Sequence, residues 1–299
     1  MRPIHVAQLL LLSLLWGGAY LFMRSSAPSF GAVPMIFLRM ALASLLVLLP
    51  LTMWRTGLAP LRRHAREMLV FGLAFTAVPF LGLGFAALSI SAGLLAVLQS
   101  AAPMFAAIVG HFWLRERIGP LRAFGLLVGS AGVALLVWDK IGVREQTGVA
   151  ILVALAVTAL WGVSSHYARV RISGADPLAL ATGSLGVAAI ALAPFAWLTW
   201  PEQTPDARAW AEVAFLGIAS SGFGFILYFG LLKQIGAVRA ISVTFLNPIV
   251  AMGSAAVYLG EPVTARMLVG CAVILLGTAL TLGLIAPRRR PALGATPPG

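Results

Sequence analysis

Ten mostly apolar stretches, each close to the length of a membrane-crossing helix, follow one another with short polar breaks between them. Their bounds are 4–23, 34–54, 67–87, 94–113, 122–138, 148–168, 177–199, 209–231, 238–258 and 266–285. A hydrocarbon core about 30 Å thick takes roughly 20 residues of helix. Backbone inside it must satisfy its own hydrogen bonds, so runs of this length form helices. Of the 299 residues, 60% are hydrophobic and 10% charged, where a soluble domain carries about 25% charge. So few charges do not cover a soluble surface of this size, which excludes a water-soluble enzyme or a secreted module. The expected fold class is an all-α integral membrane protein with ten transmembrane helices.

The formal charge of +12 would suggest a nucleic-acid binder in a soluble chain. Here the basic residues occupy gaps between apolar runs and leave no continuous face for a duplex, so no nucleic-acid partner is expected. Ten spans put both termini on one side. With the termini inside, the inner set holds fifteen basic residues, among them Arg62, Arg63, Arg115, Arg117, Arg169 and Arg288–Arg290. The outer set holds five: Arg24, Lys140, Arg144, Arg208 and Arg266. Cytoplasmic loops collect Lys and Arg, so both termini are placed in the cytoplasm. Cys271, the only cysteine, allows no intrachain disulfide and no multi-cysteine metal cluster. No cofactor is implied.

A shift of 145 residues superimposes the chain on itself without a gap. Trp16-Gly17 falls on Trp161-Gly162, Arg24 on Arg169, Glu67 on Glu212 and Gly72 on Gly217. Pro103 falls on Pro248, Glu116 on Glu261, Gly125 on Gly270 and Gly132 on Gly277. Recurrence of scarce Trp, Pro and Glu at one period marks an internal repeat. It divides the chain into 1–145, 146–286 and a disordered polar cytoplasmic tail, 287–299. Five spans per half is an odd number, so the second half enters the membrane inverted relative to the first. The repeated opening run also argues against a cleaved signal peptide. Inverted repeats give a fold two near-equivalent states around a midplane site, the architecture of a carrier.

The ten-span 5+5 pattern resembles the drug/metabolite transporter superfamily, in particular its EamA-type permeases. The Leu-Trp-Gly segments at 15–17 and 160–162, the mid-span prolines Pro103 and Pro248, and Leu259-Gly260-Glu261-Pro262 carry the resemblance. It covers the chain except its tail. The resemblance implies an inner-membrane carrier, usually an exporter of amino acids or other small metabolites. The smaller multidrug relatives of that superfamily carry an essential carboxylate in their first span. This chain has none in residues 4–23, which favours facilitated diffusion over proton-coupled export of drugs or organic cations, the alternative carrier reading.

Paired broken spans are the best sequence pointer to a transport site. Pro103 and Pro248 each deprive the carbonyl four residues earlier of its helical partner, at Gln99 and Thr244. Beside these kinks lie Ser100 and Asn247. Trp16 and Trp161 lie at mid-span, away from the interfaces where Trp collects, and Tyr20 and Ser165 follow one turn later. With Phe75 and Tyr228 these residues form the expected substrate cavity: Trp16, Tyr20, Phe75, Gln99, Ser100, Trp161, Ser165, Tyr228, Thr244 and Asn247. Pro103 and Pro248 serve as hinges. Kinks satisfied by neighbouring helices, and aromatic residues packed against Gly17 and Gly18, are the competing structural reading. An aromatic, nearly uncharged cavity suits aromatic or apolar amino acids.

None of the nine acids lies deep in a span by these bounds. Glu116 and Glu261 precede spans 5 and 10 and are read as structural helix-end acids favoured by the helix dipole. Arg39 lies about five residues inside span 2, where its side chain reaches the surface by snorkelling or attracts a substrate carboxylate. His111 and His166 lie within spans and are of the residue type whose free pKa is nearest neutrality, and neither is assigned a coupling role. Gly125, Gly129 and Gly132 permit close helix approach, within the fold or between two protomers of a homodimer. A membrane-embedded enzyme would need a nucleophile with its base, paired acids or metal ligands at working spacing. No HExxH, intramembrane Asp pair or phosphate loop is present, so the chain is read as a non-enzyme.

Overall fold

The computed structural model describes residues 2–138, 145–172, 174–240 and 242–284, the side chains of Ala237 and Val238 apart. The tail from Pro287, together with Lys140, Arg144 and Arg288–Arg290, lies outside the described residues. Among those described there are helices and no strands. Eight helices are long and apolar enough to cross a membrane: α1 (Pro3–Phe30), α2 (Ala32–Arg55), α3 (Ala65–Ala87), α4 (Ala92–Leu114), α5 (Pro120–Val137), α6 (Glu145–Arg171), α7 (Pro177–Leu198) and α8 (Ala207–Ile235). Two shorter apolar helices follow, α9 (Val243–Leu259) and α10 (Ala265–Thr281). Each corresponds to one of the ten apolar runs, mostly with a longer helix than the run's own limits.

The helix ends follow from local chemistry. Ser91, Asp176, Asp206 and Thr264 cap α4, α7, α8 and α10 with side-chain oxygens that accept backbone N–H groups. Proline opens α1, α5 and α7, where its missing N–H costs nothing. Arg115 ends α4 in the left-handed region, φ 55°, as Gly260 ends α9 at φ 66°. These two residues are 145 apart, and after each a glutamate N–H reaches back at 3.2 Å, Glu116 to Gly110 O and Glu261 to Ala255 O. One cap geometry therefore places both glutamates.

Lipid is as apolar as leucine, so helices in a membrane associate through close approach at small residues. A Cβ on Gly17 would stand 2.6 Å from Val250 Cβ, packing α1 on α9. On Gly162 it would stand 2.7 Å from Ala106 N, packing α6 on α4. Gly72 meets Val187 at 2.7 Å across α3 and α7, and Gly217 meets Leu42 at 2.6 Å across α8 and α2. In the α5–α10 seam a Cβ on Gly277 would lie 2.7 Å from Gly125 O and against the Gly129 backbone. The Gly125, Gly129 and Gly132 stripe is therefore occupied within the chain, and the expectation that it could join two protomers is not supported.

Six tryptophans, Trp54, Trp113, Trp138, Trp197, Trp200 and Trp210, are exposed at or near helix ends, the depth where indoles meet lipid headgroups. Trp16 and Trp161 instead point into the bundle.

Gly277→Ala puts a methyl group against backbone that has no rotamer to yield, and overpacking of this kind costs about 1–3 kcal/mol. The melting temperature of the purified protein in detergent is expected to fall by several degrees. Gly253→Ala, whose methyl meets nothing within 4 Å inside α9, does not lower it.

Candidate functional site

A cavity of about 460 Å³ lies between α1, α2, α3, α4, α6, α7, α8 and α9, while α5 and α10 contribute nothing to its wall. Its size falls in the range of small-ligand pockets, roughly 300–1,000 Å³. Trp16, Tyr20, Phe75, Gln99, Ser100, Trp161, Tyr228, Thr244 and Asn247 line it, as expected from the sequence. Ser165 does not. It is exposed and its hydroxyl donates to Gly162 O at 2.8 Å, while the adjacent Ser164 faces the cavity. A helix turns about 100° per residue, so a one-residue error in register changes the face.

Pro103 and Pro248 are buried behind the wall. In α4 the α-helical ladder is interrupted at Ser100 and Ala101, directly before Pro103. The carbonyl of Ser100 is met by the Thr278 hydroxyl of α10 at 3.3 Å, so one carbonyl at the break is satisfied from the neighbouring helix. In α9, Pro248 lies within a continuous helix, and residues 237–240 form a separate short helix ahead of α9. Gln99 lines the cavity with its polar atoms engaged: Nε2 donates to Ala154 O at 3.0 Å and Oε1 accepts from Thr158 at 3.0 Å. It ties α4 to α6.

The aromatic wall repeats at the 145-residue offset. Trp16 packs edge-on against Phe225, centroids 6.0 Å apart, and Trp161 against Phe80 at 5.6 Å. Tyr228 lies 5.1 Å from Trp16. The backbone of α3 and α8 widens into π-helix at Phe71–Ala77 and Phe215–Phe223, again at matching positions. Such segments loosen the regular ladder and are frequent at functional sites. In α8 the Ser220 carbonyl accepts the Trp16 indole N–H at 3.1 Å, and Gly224 has no side chain to obstruct that ring, which a Cβ would meet at 2.6 Å.

Arg39 is the residue that the snorkelling expectation misplaces. Only 6% exposed, it turns into the cavity wall. Its Nε donates to Ser221 Oγ at 2.8 Å, its Nη1 lies 2.9 Å from Met23 Sδ, and its guanidinium stacks 4.6 Å from the Phe80 centroid. Among the described residues it has no acidic partner within 4 Å. Thr76 and Ser221 face the cavity from equivalent positions of α3 and α8. This polar pair was legible in the 145-residue alignment, and so was Ser184 opposite Arg39.

Both helix-end acids lie beside an arginine, and Glu261 also takes a backbone N–H. Glu261 accepts the Ala92 N–H at the start of α4 at 3.0 Å and lies 3.6 Å from Arg24. Glu116 lies 2.6 Å from Arg169, and this hydrogen bond is the main reason its carboxyl titrates below the ordinary carboxylate value. These pairs, 145 residues apart in both members, stand at opposite ends of α4. Arg24 also donates to Ala87 O and Leu88 O at 2.8 and 2.9 Å. Among the described residues Arg169 bonds Glu116 alone. Glu212 is 4% exposed inside α8, deeper than the span limits placed it, and it is partnered by Arg208, Ser25 and Tyr258. His166 donates to Ala106 O at 2.7 Å and His111 to Glu116 O at 2.8 Å. Neither lines the cavity.

The cavity is uneven end to end. Toward Glu116 it is lined by Phe71, Leu180, Ala181 and Leu185. Their counterparts 145 residues away, Leu216, Met35, Ile36 and Met40, are fully buried and do not line it.

A helical bundle around an apolar cavity with few polar groups has close parallels among known proteins. The chain aligns with a solved crystal structure at a TM-score of 0.70 and 22% identity, over 98% of this chain and 100% of the other, a likeness of fold. An uncharacterised transporter of Bacillus subtilis (strain 168), YoaV, is 23% identical over 274 residues, covering 89% of this chain and 92% of its own. A probable terminal-alkyne amino-acid exporter of Streptantibioticus cattleyicolor is 24% identical over 282 residues, 93% of each chain. The model of the EamA-like transporter family matches twice, at residues 4–138 and 148–283. The chain is a multi-pass membrane protein of the EamA-like transporter family.

Proposed function

We propose that the chain is a ten-span carrier of two inverted five-helix repeats, 1–145 and 146–286, that exports small metabolites by alternating access. Amino acids with apolar or aromatic side chains are the preferred substrates, and movement is facilitated diffusion across the inner membrane, with both termini in the cytoplasm. The name of the Streptantibioticus cattleyicolor relative supports the substrate class, and the aromatic cavity supports the side-chain preference.

One observation carries this reading: contacts recur at an offset of 145 residues between opposite ends of the bundle. Arg24–Glu261 at one end corresponds to Arg169–Glu116 at the other. Trp16 on Phe225 corresponds to Trp161 on Phe80. Two halves related in this way have two equivalent arrangements, each sealing one end. The conformer described here fits one of them. Arg24 latches α1 to the end of α3, and Glu261 latches the α9–α10 turn to the start of α4. In the opposite arrangement Arg169 would reach the Leu232 and Lys233 carbonyls, the counterparts of Ala87 and Leu88. The charge count makes the Glu116 end cytoplasmic, so this conformer is inward-facing.

The basic test is counterflow in proteoliposomes loaded with unlabelled amino acids, following entry of labelled Phe, Thr and Met. Saturable exchange is expected. No exchange by folded protein overturns the amino-acid reading. Arg24→Gln removes the latch at the Glu261 end. A cysteine replacing Ser184 is then expected to react several-fold more slowly with a thiol reagent applied from the Glu116 side, because the inward-facing population falls.

Export coupled to protons is the reading disfavoured by the cavity, whose wall holds no acid among the described residues. The Glu116–Arg169 pair supplies a further check. A depressed carboxyl pKa means that the pair is intact above the ordinary value of 4.5 and is lost only as pH falls through the lower folded value. Exchange is therefore expected to stay flat between about pH 6 and 8, and proton-driven accumulation of substrate would overturn facilitated diffusion.

A further inference from the structure

The cavity wall contains one charged side chain among the described residues, Arg39, and it is a cation that cannot shed its proton. A charge taken out of water is stable only when paired and hydrogen-bonded. The guanidinium offers five N–H donors. Of these the hydroxyl of Ser221 takes one, and a thioether, a weak acceptor, faces another. The guanidinium carbon lies over the Phe80 ring, 4.6 Å from its centroid, a contact that uses none of the N–H donors. Two more atoms of the same wall, Asn247 Oδ1 and Ser220 Oγ, are buried without a hydrogen-bond partner among the described residues. Asn247 is 8% exposed and Ser220 fully buried. The wall therefore holds a cation with donors to spare and, buried among apolar aromatic rings, an amide oxygen without a partner among the described residues.

We propose that Arg39 is the specificity determinant of the cavity and requires a carboxylate in the substrate. The carboxylate pairs with the guanidinium fork beside Ser221 and Ser220. The apolar body lies along Trp16, Phe80 and Trp161, and a donor group on the same molecule, such as an ammonium, meets Asn247 Oδ1. The inference rests on the carrier reading for its physiological meaning but not for its chemistry. It also separates substrates that an aromatic cavity alone would accept together: organic cations lack the anion and are repelled by Arg39.

Equilibrium binding to the full-length protein in detergent, followed by calorimetry, tests the chemistry without transport. The probes are L-phenylalanine, L-leucine and L-threonine, their amides, the amines formed by removing the carboxylate, and 3-phenylpropanoate. At least one free carboxylate is expected to bind roughly tenfold or more tightly than its own amide and amine, the scale of a hydrogen bond to a charged group. Arg39→Gln is expected to abolish that preference and Arg39→Lys to keep part of it. Asn247→Leu should weaken binding of the amino acid but not of 3-phenylpropanoate. Amides or amines binding the wild type as tightly as the carboxylates, or no carboxylate binding at all, overturns the proposal without any substitution. A folded Arg39→Gln variant that keeps the carboxylate preference overturns it as well. Counterflow reports separately: carboxylate-selective binding without exchange leaves this inference standing and removes the carrier reading.

Discussion

Backbone approach at glycine is the constraint on which this bundle depends. Inside a bilayer no gain comes from hiding apolar side chains from lipid, so helices must associate by fitting surfaces at short range. The seams between α1 and α9, α4 and α6, α3 and α7, α2 and α8, and α5 and α10 all use glycines whose missing Cβ leaves room for the facing helix. Close contact at the seams fixes where helices diverge, and the divergence makes the cavity. The paired π-helical segments of α3 and α8 extend this effect. They present Phe75, Thr76, Ser220 and Ser221 inward, and the Ser220 carbonyl holds the indole of Trp16.

The polar groups within this apolar frame divide into two kinds. Gln99, Thr158, Thr278, His166 and Glu212 are used up in cross-links between helices, each with its partner within hydrogen-bond reach. Their role is to satisfy broken or buried backbone and to hold neighbouring helices in place. Arg39 and Asn247 belong to the second kind, having donors or an acceptor left for whatever enters the cavity. Burial alone does not separate the two, since Gln99, Arg39 and Asn247 are all less than 9% exposed. The distinction lies in their hydrogen-bond partners.

Much of the site was legible in the sequence because it rests on periodic and scarce residues. Trp16, Trp161, Gln99, Thr244 and Asn247 stand out in an apolar chain, and all line the cavity. Ser165 was mistaken for Ser164 because adjacent serines differ only in helical phase, which span limits uncertain by a residue or more do not resolve. For Arg39 the sequence leaves snorkelling and an inward role open, because distance from a helix end says how far a side chain must reach for water, not which way it points. The Gly125–Gly132 stripe identified a close seam but not its partner, since α10 and a second protomer would leave the same trace.

The class of solvent, the helical character of the spans and the 145-residue repeat are written in the chain's own order of residues. These follow from composition and spacing, which hydrocarbon reads residue by residue. Only the tertiary structure decided that Arg24 and Glu261 form one pair and Arg169 and Glu116 the other. It also decided that Leu180, Ala181 and Leu185 line the cavity while their counterparts Met35, Ile36 and Met40 do not, and that Arg39 faces inward without an acid within 4 Å among the described residues. Each of these depends on which helix faces which and at what rotation. That is set by side-chain fit across seams between residues far apart in the chain, and no local pattern encodes it.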